Sequence, residues 1–144
     1  MKIYHYTKDS QLEKILGAGF IEMCSSLAPI PDLVWMTSEK FIPNLCRPQD
    51  HTLSPARFLD VAYYRFEFDS SDPGIKAWSR YQRIIKGGRK AVTSLNQRAT
   101  DLKDNPKRWF VSETPLPIGH YGGAMADPEF NFFMDGQSVN YFAP

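Results

Sequence analysis

The spacing of apolar and polar residues predicts that the chain opens on a strand. From Lys2 to Tyr6, Tyr4 and Tyr6 fall on one side and Ile3 and His5 on the other, the period of two that a strand imposes. Ser10 with Glu13 three residues later forms a capping-box pattern, Leu12, Ile15 and Leu16 supply one apolar stripe, and Gly17 and Gly19 end it, so a short helix follows. Ile21 to Leu33 contains Pro29 and Pro31 and reads as loop, and Val34 to Thr37 as a short strand. Phe41 to Leu59, with Pro43, Pro48 and Pro55, follows neither period and is expected to be a long irregular excursion. Val61 to Phe68, dense in aromatic residues, carries the strongest strand character of the chain.

In the second half, Asp72-Pro73-Gly74 places a proline where an early helical position accepts one. The helix it opens is expected over Ile75 to Ile85, broken at Gly87-Gly88, resumed from Arg89 to Lys103 and ended by Asn105-Pro106. Trp109 to Ser112 reads as a strand, and Phe130 to Met134 and Ser138 to Phe142 flank Asp135-Gly136 as a hairpin. Strands, a helix, a loop-rich middle, a helical insert over about 73–105 and a strand-rich end predict an α+β protein. A chain of 144 residues suits one domain, 1–144.

Composition narrows the class. An aromatic share of 14% with 42% hydrophobic residues points to an ordered core. Cys24 and Cys46 have neither zinc-ligand spacing nor the density of a disulfide scaffold, so both are expected to be free thiols in a reducing cytoplasm. No apolar run reaches the roughly 18 residues of a membrane span, and the first residues do not read as a signal peptide. His5, His51 and His120 are too scattered to suggest a metal, and no phosphate-cradling glycine loop is present.

Charge is unevenly spread. The chain carries a net +1, yet Arg80 to Arg108 holds nine basic residues against Asp101 and Asp104, a local +7. Arg83, Lys86, Arg89 and Lys90 could grip phosphates of a nucleic acid, or simply form a solvated helix face. Trp78 and Tyr81 could stack on a base or pack into the core.

Three segments carry candidate chemistry. His5 and Thr7, two residues apart on the first strand, share a face, which sets an imidazole beside a hydroxyl. Trp35-Met36-Thr37-Ser38 ends a strand with the aromatic and hydroxyl groups that hold a flat ring and a sugar. If the strand at Trp109 continues to Glu113, that carboxylate lies on the side of Trp109 and Val111, where burial would raise its pKa. Glu67 and Glu129 are rival acids.

Together, Tyr4-His5-Tyr6-Thr7 with its following helix, the Trp35 segment and the late glutamate resemble the ADP-ribosyltransferase fold, in particular its small bacterial and phage members, including the DarT-type toxins that modify nucleic acid. The resemblance implies two small, mostly antiparallel sheets with flanking helices, forming a cleft for NAD⁺ as substrate, with no metal. It implies transfer of ADP-ribose to a macromolecular acceptor, nucleic acid or protein. The alternatives are a non-catalytic nucleic-acid- or protein-binding module of the same fold, or an NAD glycohydrolase. By the resemblance the catalytic residues are Glu113, as the carboxylate, and His5, which hydrogen-bonds the nicotinamide-side ribose with help from Thr7. Tyr6, Trp35 or a tyrosine of the pair Tyr63-Tyr64 would stack on nicotinamide, Tyr64, Thr37 and Ser38 would line the pocket, and Arg65 would pair with the pyrophosphate. The chain has no Glu-x-Glu pair, which in the arginine-modifying branch helps to select the acceptor, so the resemblance does not name one.

Overall fold

The computed structural model describes residues 1–24, 28–40, 43, 45, 63–118, 129–134 and 137–142. The long excursion expected from Phe41 to Leu59 falls almost wholly outside them, as do Cys46, His51, His120 and the hairpin turn at 135–136.

The architecture is α+β, built on a five-stranded sheet. Strand β1 (Lys2–Lys8) leads into helix α1 (Asp9–Ala18), which closes at Gly19, where a φ of +83° suits a residue without a Cβ and the amide donates to the Ile15 carbonyl at 2.9 Å. Short β2 (Phe20–Ile21) and β3 (Val34–Thr37) follow, then β4 (Tyr63–Asp69) and β5 (Ile75–Ala77). Helix α2 (Trp78–Tyr81) runs into a 3₁₀ turn, Gln82–Ile84, and α3 spans Arg89–Asp101. Strands β6 (Trp109–Ser112), β7 (Leu116–Pro117), β8 (Glu129–Met134) and β9 (Gln137–Phe142) complete the order.

The main sheet runs β4-β1-β3-β6-β5, with every neighbouring pair antiparallel. β2 and β7 form a small second sheet, and β8 and β9 pair as the expected hairpin, with β8 lying against β4. The α+β class and the antiparallel pairing are as expected, but among the described residues the strands form one five-stranded sheet and two two-stranded ones.

A second correction concerns residues 75–77, expected as the start of a helix. They add an edge strand instead, because Ile75, Lys76 and Ala77 pair with Ser112, Val111 and Phe110. Backbone bonds to a strand already in place outweigh the weak helical preference of three residues. Gly87 takes a φ of +68°, and the Ile85 side chain fills the space where a Cβ on Gly88 would stand, so both glycines are required at this break.

Each face of the sheet carries its own core. Ile3, Val34, Met36, Phe66 and Phe68 pack on one side with Leu12 and Ile15 of α1. Trp78, Trp109, Val111, Val92 and Ala99 pack on the other, beneath α2 and α3. Trp78 is the largest fully buried side chain. Its ring centroid lies 4.8 Å from that of Trp35, and Trp35 meets Trp109 edge-on at 5.8 Å.

Candidate functional site

The register decides which side chains can meet. Tyr4 pairs with Thr37, and Thr37 with Trp109, so Tyr4, Tyr6, Trp35, Thr37, Trp109 and Val111 share the tryptophan face. Ile3, His5 and Thr7 take the opposite face, where His5 pairs with Phe66 and Thr7 with Tyr64.

Between β1 and β3 the register consists of the single pair Tyr4 and Thr37, so the two strands part along the rest of β1. His5 stands where they part. Its Nδ1 lies 2.8 Å from the carbonyl oxygen of Trp35. A carbonyl only accepts, so Nδ1 carries the proton and the neutral ring presents Nε2 as an acceptor. Desolvation holds the imidazole below its ordinary pKa, and the bond to Trp35 acts against that shift without cancelling it. Among the described residues Nε2 has no partner. One step along the same face, Thr7 is only 7% exposed, and its hydroxyl has no partner among the described residues either. Among the described residues neither group has a partner: Thr7 is buried and His5 half-buried, about 7 Å apart along the strand, and a buried polar group left without a partner costs roughly 1–3 kcal/mol. A bound molecule bearing hydroxyl groups would remove that cost.

The lowered pKa sets a pH dependence. In the unfolded chain His5 titrates near 6.5, and in the folded protein below that, so below neutrality the unfolded state binds more protons. Stability contributed by the neutral ring is present above this range and is lost as pH falls through about 6.5 toward the folded value. The urea midpoint should therefore fall on acidification from about pH 8 to about pH 5 more steeply in the wild type than in His5→Gln. Parallel curves for the two proteins would show that His5 is not desolvated.

The remaining candidates do not gather around His5. Glu113 lies just past β6 and is half exposed, with its carboxylate 3.4 Å from Nζ of Lys76, which pairs with Val111 on the tryptophan face. Its charge also holds the Tyr81 phenol above the ordinary range, after the larger effect of desolvation. His5 and Glu113 thus stand on opposite faces of the sheet, and the expected convergence of the two is corrected. Local alternation places each residue on a side, but pairing through β3 makes those sides opposite.

Tyr6 is likewise on the tryptophan face, where its hydroxyl donates to the Glu39 carbonyl at 2.8 Å. Burial pushes its phenol well above the usual range, against the pull of Arg65. Arg65 pairs with Tyr6 and lies 4.2 Å from the Tyr4 ring, so it is directed away from His5. Trp35 is a member of the tryptophan cluster, Thr37 accepts from the Glu39 amide at 3.1 Å, and the Ser38 amide donates to the Arg108 carbonyl at 3.0 Å. Tyr64, buried beside Thr7, shares the His5 face. Sequence reasoning missed the Trp35 carbonyl, the one group that fixes the imidazole; any residue at that position supplies the same atom, so no side-chain signal marks it.

Arg83, Lys86, Arg89 and Lys90 are exposed, and Trp78 and Tyr81 are buried in the core, which removes both as stacking platforms. Among the described residues no three His, Cys, Asp or Glu side chains gather as a metal would need, and no helix is long and apolar enough to cross a membrane. The chain matches no family model, no curated protein and no solved structure.

Proposed function

We propose that the chain is an NAD⁺-using ADP-ribosyltransferase-like protein whose ribose contact is built on His5 and Thr7 and whose acceptor is a macromolecule. The observation that supports this most is His5 itself, its Nδ1 held by the Trp35 carbonyl so that Nε2 is left an acceptor, on the face that also carries the Thr7 hydroxyl. An acceptor nitrogen beside a hydroxyl suits the vicinal diol of a ribose: Nε2 accepts from one sugar hydroxyl, and the Thr7 oxygen donates to or accepts from the other.

In the proposed reaction the bond between ribose and nicotinamide breaks, and its electron pair returns to the pyridine nitrogen. The cationic sugar carbon is then taken by a nucleophile of the acceptor, whose proton passes to a base or to water. Charge of this kind is stabilised by a carboxylate, as in glycoside cleavage. Glu113 is engaged by Lys76 on the other face, and Glu67 pairs with Tyr4 on that same face and lies 3.6 Å from Lys2. We assign the role to Glu129, the third acid weighed from the sequence. It begins β8, the strand that packs on β4 beside β1.

Titration of the purified protein with NAD⁺ tests the reading. His5→Ala should weaken binding by about tenfold, the scale of a lost hydrogen bond to a desolvated partner, while melting still reports a folded protein. Unaltered affinity would overturn the site. Nicotinamide release that needs a cell extract, with label appearing on a macromolecule, supports transfer. Release without an acceptor assigns the glycohydrolase reaction instead.

A further inference from the structure

The basic segment keeps its charge open to solvent. All nine cations from Arg80 to Arg108 are exposed, and among the described residues only Arg108 has an acidic partner, Glu39, at 3.9 Å. The segment's +7 within a chain of net +1 leaves the rest of the protein at −6, so a polyanion is attracted to this surface and repelled elsewhere.

Helix α3 supplies the ordered part of the surface. Val92 and Ala99 turn into the tryptophan core, which fixes which face is outward. That outward face carries Arg89, Lys90, Thr93, Ser94, Gln97 and Arg98, with Asp101 at its far end. It combines cations with hydroxyl and amide groups, the set that contacts phosphate oxygens. Among the described residues no aromatic ring lines it, and the nearby Trp78 and Tyr81 are 1% and 5% exposed, so none of these offers a base a stacking platform. Arg89 to Arg98 spans about 13 Å along the helix at 1.5 Å per residue. A duplex presents several backbone charges over that length, at one per ~1.7 Å of axis.

We propose that the outward face of α3, extended by Arg83 and Lys86, is a docking surface for nucleic acid that reads the phosphate backbone and not the bases. Nothing in this assignment depends on chemistry at His5, so it stands or falls apart from the NAD⁺ reading. An acidic polypeptide is the competing partner; the mixture of side-chain hydroxyls among the cations favours phosphate over carboxylate.

Anisotropy titrations of the full chain with labelled single-stranded and duplex oligonucleotides of unrelated sequence test it. Binding should be nearly independent of sequence and fall steeply with salt. The charge reversal Arg89→Glu, Lys90→Glu, Arg98→Glu should weaken binding at least ~10-fold and reduce the slope of log affinity against log salt by about 2. These positions are solvent-facing, and the milder triple change to Gln serves if the reversal alters the melting curve. The proposal is overturned if neither oligonucleotide binds at low salt, if both triple variants bind like the wild type, or if polyglutamate displaces the oligonucleotide as well as heparin does. Retained oligonucleotide binding by His5→Ala, with NAD⁺ affinity about tenfold weaker, would separate the two sites.

Discussion

Trp78→Ala should destabilise the protein by about 3–5 kcal/mol, the range seen when a fully buried large aromatic is truncated. Trp78 is 1% exposed, stands against Trp35 and Tyr81, and joins α2 to α3 through its indole, whose Nε1 donates to Oδ1 of Asn96 at 3.0 Å. Asn96 in turn donates to Oε1 of Gln82 at 2.9 Å. Truncation would open a cavity between the sheet and its helical layer and leave a partly buried amide without its donor. Urea unfolding followed by circular dichroism measures the effect. A loss below about 1 kcal/mol would mean that the helices on this face are not part of the cooperative fold.

Glu129→Gln should lower nicotinamide release by at least ~10²-fold, the scale for removing a group that stabilises developing charge. Glu113→Gln should leave release near the wild-type rate, since that carboxylate answers to Lys76 on the far side of the sheet. Single-turnover assays at saturating NAD⁺ separate chemistry from binding. The reverse result, with Glu113→Gln inactive and Glu129→Gln active, would place the reaction on the tryptophan face and remove His5 from it.

The contrast between what local pattern reveals and what pairing decides runs through the whole molecule. Strands β3 and β6 are found at Val34–Thr37 and Trp109–Ser112 as their residues predict, because each is short, aromatic or β-branched, and bounded by turn residues. β5 was hidden because three residues after a proline and a glycine have no period of their own; their strand exists only through β6. β2 and β7, two residues each, are equally non-local. At the candidate site, the shared face of His5 and Thr7 follows from alternation alone. That Glu113 faces the other way depends on two successive registers, Tyr4 with Thr37 and Thr37 with Trp109, which no stretch of sequence contains.

The position of β1 second from one edge of the sheet bears on how the chain assembles. Its two neighbours, β3 and β4, are both encountered later along the polypeptide, and Lys2 waits for Asp69. During synthesis the opening strand therefore leaves the ribosome with its hydrogen-bonding groups unmatched, and sheet formation is delayed until the far partner has emerged. Such distant pairing slows folding and leaves β1 exposed to wrong partners until β4 is made.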